Sequence, residues 1–225
     1  MDENIVFGIL LALLTAIVSA LASLFDRKGL ETHDPLTGTL IRGSFAIPFL
    51  LAATLLFSDV AALDNLTMIF WIILIVSAIL MCVGDLIYMF VLEFAPISRV
   101  IPLAAAYPIF VTIFAIILLN EQPSLLTLIG TFCVIAGVSF VAGNIAHCDN
   151  ENHLSGRVRK GSGLLALIAA AIWGLAIILV GLVFKETNVE IFPIVLFRLS
   201  IVLVILTVFS TIQNRNHLPR LNKRF

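Results

Sequence analysis

"GILLALLTAIVSALASLF", residues 8–25, and "GLLALIAAAIWGLAIILV", residues 163–180, read as two copies of one apolar segment. In each copy the next apolar run opens with a proline and then carries an arginine, Pro35 with Arg42 in the first and Pro193 with Arg198 in the second. An internal repeat of this kind means that one structural unit recurs along the chain. What lies between the copies decides how the units face each other.

A helix needs about 20 apolar residues to cross roughly 30 Å of hydrocarbon. Such runs lie near residues 4–25, 36–57, 66–91, 96–119, 124–143, 161–183 and 190–212. The joints are short except for "NIAHCDNENHLSGRVRK", residues 144–160, which is polar and charged and reads as a linker between units. Five spans precede it and two follow. Because five is odd, each helix of the second unit crosses in the opposite sense to its counterpart, the inverted-repeat plan of many secondary transporters. The expected fold is an all-α membrane protein of about seven transmembrane helices, an inverted repeat of five-helix units whose second unit is incomplete. Residues 1–143 form the first unit, 144–160 the linker, and 161–225 a partial second unit of two spans and a basic tail. The first run begins with Asp2 and Glu3, has no basic leader and is too long for a signal-peptide core, so it is expected to be retained as a helix.

Composition points the same way. Hydrophobic residues make up 61% of the chain, charged residues 12%, and the mean hydropathy is +1.15, which places the chain in a lipid bilayer and not in water. With a net charge of −1 and no basic block outside the loops, nothing points to a nucleic-acid partner. Cys82 and Cys133 lie in apolar runs and Cys148 in a polar one, so no disulfide framework or CxxC pair can be read. His147, Cys148, Asp149 and His153 match no zinc spacing, and no metal is expected. A nucleophile elbow, a P-loop, a dinucleotide glycine pattern and HExxH are all lacking, so no cofactor is expected and energy does not come from ATP bound to this chain.

The fourth span, within "APISRVIPLAAAYPIFVTIFAIILLNEQPS" at residues 95–124, carries Pro102 and Pro108. Each removes a backbone donor and kinks a helix, and carbonyls freed this way are tolerated in lipid only against protein or a watery cavity. Two kinks six residues apart would bend the helix in different directions, making Pro102 and Pro108 candidate hinges beside a cavity. Tyr107, next to the second, would offer a ring and a hydroxyl to a solute, or serve as core.

Ionisable groups at membrane depth cost roughly 2.5 to 3.5 kcal/mol each on insertion scales, so each calls for a reason. Asp85, in "MCVGDLIYMF", is the deepest, with Tyr88 at i+3 on the same face within reach of a hydrogen bond. The pair is either a solute or proton site or a carboxyl paired with another helix for packing. Arg42 and Arg198 lie nearer helix starts, where long side chains snorkel to headgroups. Trp173 sits at mid-span and would wall a cavity or simply pack. Ser19 and Ser23, at i and i+4, are expected to serve helix packing.

These residues resemble the EamA-type transporters of the drug/metabolite transporter superfamily. In that family a five-helix unit has a Pro-bearing helix with an "aaxYPvf" stretch, a glutamate after it and a Gly-rich last span. Here residues 102–143 read "PLAAAYPIFVTIFAIILLNEQPSLLTLIGTFCVIAGVSFVAG", with Tyr107, Pro108, Glu121, Gly130 and Gly137 in that order. "PLTGTLIRGSFAIPFLLA" and "AAIWGLAIIL" are similar to the family's second and first helices. The resemblance covers nearly the whole chain, yet family members usually carry ten helices. A naturally short protein and a truncated ten-helix one both stay open.

The resemblance implies a carrier of small organic metabolites in the plasma (inner) membrane, working by alternating access, and the residues weighed above make Asp85, Tyr88, Tyr107 and Trp173 the substrate-binding candidates. Since part of the cavity wall would be missing, a second copy or a complementary subunit is expected to cover it, and a non-transporting subunit is the alternative. A retinal pigment would need a lysine in its last helix, and residues 190–212 contain none. An intramembrane enzyme would need a convergent catalytic set, and only Asp85 is deep. Loop charges conflict with the resemblance on orientation. Arg27, Lys28, Arg99, Arg157, Arg159, Lys160 and the basic tail share one side against Lys185 on the other, which places the amino terminus outside. The resemblance places it inside.

Overall fold

The computed structural model describes residues 3–58, 63, 66–148, 156–187 and 189–216. Eight helices and no strand occur among them: α1 (Glu3–Gly29), α2 (Pro35–Phe57), α3 (Met68–Phe94), α4 (Ile97–Ala104), α5 (Tyr107–Leu119), α6 (Leu125–Cys148), α7 (Gly156–Glu186) and α8 (Ile191–Asn216). Six stretches are long and apolar enough to cross a membrane, with α4 and α5 together forming one of them, Ile97–Leu119. The 24-residue α6 falls on the remaining expected span, and its Leu125–Val138 part is apolar. The protein is an all-α, multi-pass membrane protein.

Local chemistry sets the helix ends. Asp34 caps α2, its carboxylate accepting from the Thr37 N–H at 3.2 Å and the Thr37 hydroxyl at 2.6 Å, and Pro35 follows in the first turn, where its missing N–H costs nothing. Partial burial alone would raise the pKa of Asp34, but these bonds outweigh it and hold the carboxyl below its ordinary range. At the far end of α5, Asn120 adopts φ 50°, and Lys185 of α7 donates to the Leu119 carbonyl at 3.0 Å. A cation there satisfies a terminal acceptor and complements the helix dipole.

Within the expected linker, residues 144–160, α6 continues to Cys148 and α7 begins at Gly156. Adding a residue to an existing helix is far cheaper than starting one, so both helices run on past their apolar cores. One expectation needs correction, that of the fourth span. It is not one helix with two kinks but two helices separated at Ala105 and Ala106. Pro108 cannot donate, so the chain tightens instead, with the Ala106 N–H reaching Leu103 O at 3.3 Å and the Ile109 N–H reaching Ala106 O at 3.0 Å. Pro108 thus opens α5, while Pro102 lies inside α4.

Lipid is as apolar as leucine, so packing and polar contacts, and not hydrophobicity, hold membrane helices together. The central helix is α7, which packs on α3, α4 and α5, while α8 packs on α2 and α3. Close approach depends on glycine. A Cβ on Gly84 would fall 2.6 Å from the Trp173 ring, and one on Gly174 would fall 2.7 Å from Phe110 Cβ and 3.1 Å from the Val111 backbone nitrogen. Deep between α3 and α7, the Ser77 hydroxyl donates to Ala176 O at 2.7 Å. The repeat-related α1 behaves oppositely to α7. None of its apolar window is buried, and it meets the bundle along α3 and α4 and, through Asp26, at Arg42 of α2. Arg27 fixes its end by donating to the Leu92 and Glu93 carbonyls of α3.

Candidate functional site

Asp85 lies nine residues before the end of α3, about 13 Å along the helix at 1.5 Å per residue, and is 9% exposed. A carboxylate at that depth needs donors, and it has two. Arg42 of α2 places Nη2 2.9 Å from Oδ2, and the Trp173 indole N–H of α7 donates to Oδ1 at 3.1 Å. The same guanidinium turns Nη1 toward Asp26 of α1 at 3.4 Å. One arginine therefore ties three helices through two carboxylates. Snorkelling, expected for Arg42, does not occur, because paired acceptors inside the bundle compete successfully with the headgroup region.

Asp26 is a residue that sequence reading missed. It precedes Arg27 and Lys28 and looked like part of a charged loop, whereas it belongs to the last turns of α1. The available signal was charge balance, since two deep arginines need more than the single carboxylate of Asp85.

Trp173 gathers the other candidates. Its ring centroid is 5.3 Å from Tyr88 and 6.5 Å from Tyr107, the latter edge-on. Gly84 beside Asp85 leaves the space this indole occupies. The expected Tyr88–Asp85 hydrogen bond is not the one formed. The Tyr88 hydroxyl instead donates to Ser23 Oγ at 3.1 Å, and Ser23 donates to the Ser19 carbonyl at 2.9 Å. Tyr107 is 38% exposed and lies immediately after the Ala105–Ala106 break. Pro102 and Pro108 flank that break.

On the other side of Asp85 lies a cavity of about 90 Å³, bordered by Thr39, Arg42 and Gly43 of α2, Asp85, and Val202 and Leu203 of α8. At about 30 Å³ per molecule it would take roughly three waters. Arg198 of α8 does not snorkel freely either, since its Nε and Nη2 are buried and have no hydrogen-bond partner. Charges from both repeats and an aromatic group thus converge on one carboxylate. Such a site can bind a polar head beside a flat apolar body. The side chains of His147, Cys148, Asp149 and His153 lie outside the described residues. Among the described residues no cluster of three metal-ligating side chains occurs.

Comparison with known proteins agrees with this architecture. Residues 6–143 match the EamA-like transporter family. A protein of Archaeoglobus fulgidus described as an "Uncharacterized transporter" is 29% identical over 201 residues, which cover 88% of this chain and 67% of that relative. No solved structure matches. With more than half of its residues matched and an apolar helical bundle around a buried charged and aromatic cluster, the chain belongs to the EamA-like transporter family, a class of membrane transporters and not of enzymes.

Proposed function

We propose that the protein is a secondary carrier of small organic solutes in the plasma (inner) membrane, working by alternating access between its inverted units. The observation that carries this reading is the Trp173–Asp85 hydrogen bond, which joins the second unit to the first at membrane depth. Solute sites in inverted-repeat carriers lie near the midplane at the repeat interface. Trp173 offers a flat wall, Asp85 and Arg42 offer charge, and the exposed Tyr107 offers a phenol at the entrance. The break at Ala105–Ala106, bounded by Pro102 and Pro108, supplies a hinge next to that wall. Purified protein in proteoliposomes, assayed with pooled radiolabelled organic metabolites, tests the reading. Solute-dependent flux that Trp173→Ala abolishes supports it, and absence of flux for every pool argues against it.

A second reading, a subunit that acts only with a partner, is favoured by α1. Its large apolar side chains from Phe7 to Phe25, such as Leu14 and Ile17, are exposed, whereas the related α7 is partly buried.

A further inference from the structure

Arg42 and Arg198 occupy matching places in the two repeats, within Leu40-Ile41-Arg42-Gly43-Ser44 and Leu196-Phe197-Arg198-Leu199-Ser200. Their helices pack on each other and on α3. Their surroundings are nonetheless unequal. Arg42 holds two carboxylates, while the Nε and Nη2 of Arg198, which form one edge of its guanidinium, are buried with no acceptor. That edge is the fork that grips a carboxylate side-on through two parallel bonds. Leaving charged donors unsatisfied within a membrane span is costlier than losing an ordinary hydrogen bond, so the fork calls for an acceptor in some state of the protein.

Asp85 is an anionic group that attracts Arg198 electrostatically. Between α2 and α8 lies the cavity of about 90 Å³, with Asp85 in its wall and Leu199 and Val202, neighbours of Arg198 on its own helix, opposite. There is space for a side chain to cross. We propose that Asp85 exchanges partners, bound to Arg42 in the state seen here and to the Arg198 fork in the opposite-facing state. Charge permits the exchange. Asp26, Asp85, Arg42 and Arg198 sum to zero in both arrangements, Arg42 keeps Asp26 when Asp85 leaves, and Arg198 gains the acceptor it lacks. Arg198 is then a positioning residue of the transport cycle.

The exchange rests on the carrier reading, and its test therefore reads conformation and not flux. In the full chain with Cys82, Cys133 and Cys148 replaced by serine, a single reporter cysteine is placed in the cavity wall, Ala46→Cys or Val202→Cys. Its labelling by a membrane-impermeant thiol reagent is then followed from each side of the membrane. Arg42→Gln removes the present partner and is expected to change the ratio of labelling from the two sides at least about fivefold in one direction. Arg198→Gln is expected to move it in the opposite direction. Arg42→Lys and Arg198→Lys, which keep the charge and control for folding, are expected to fall between these and the parent. Shifts of both glutamine variants in the same direction, or no shift with Arg198→Gln, would overturn the exchange. So would a response of Arg198→Gln seen only when acetate or benzoate is present, which would assign the fork to a solute carboxylate. Opposite shifts without flux of any solute would leave the exchange standing while the carrier reading failed.

Discussion

Trp173 and Asp85 are joined across the repeat boundary by one hydrogen bond, indole N–H to Oδ1 at 3.1 Å. The contact is made by residues 88 positions apart, and Gly84 makes it sterically feasible. Because Asp85 also holds Arg42, this single carboxylate connects α2, α3 and α7.

Asp85→Asn keeps the shape and removes the charge. We expect the variant to insert and fold, since Arg42 retains Asp26, while flux falls at least about tenfold, the equivalent of roughly 1.4 kcal/mol. Solute uptake in proteoliposomes, measured across a pH series, checks this. Normal flux with unchanged pH dependence would remove Asp85 from the transport step.

Trp173→Phe retains an aromatic ring near Tyr88 and Tyr107 but leaves Asp85 one donor short. A hydrogen bond to a charged group contributes about 1.5–3 kcal/mol, so the variant should unfold at a lower temperature in detergent than the parent. An unchanged Tm would mean that water replaces the indole without loss.

Glycine packing yields a paired comparison. Gly174→Ala should destabilise by about 1–3 kcal/mol, because its Cβ meets the fixed backbone of α5. Gly130→Ala, with nothing within 4 Å of the added atom, should be neutral or slightly stabilising. Thermal unfolding of the two variants side by side decides, and equal losses would contradict the close α5–α7 approach.

Pro102→Ala and Pro108→Ala test the hinge. Restoring a donor at 108 permits α4 and α5 to merge into one helix, so turnover should slow more than solute binding weakens. Unchanged turnover in both variants would make the break a passive packing feature.

Partner contacts should appear on α1. Single cysteines at Leu14 and Ile17 should cross-link between chains, or to another subunit, in native membranes, while cysteines on the enclosed face of α7 should not. A protein that transports as a monomer with α1 facing only lipid would end the partner requirement.

Much of the architecture was legible because it depends on quantities carried along the chain. Hydrophobic run length sets how many helices are long and apolar enough to cross a membrane. Asp85, Tyr88, Tyr107 and Trp173 stood out individually, as polar or aromatic groups in apolar surroundings. Their relations did not. Whether Tyr88 meets Asp85 or Ser23, whether Arg42 snorkels or turns inward to Asp26, and whether Pro108 bends a helix or begins one all depend on how each helix is rotated about its axis and what stands opposite. Rotation is decided by packing between helices distant in sequence, at contacts such as Gly84 on Trp173 and Gly174 on Phe110. A single membrane helix satisfies its own backbone and is nearly indifferent to rotation in lipid, so only tertiary structure could pair these charges.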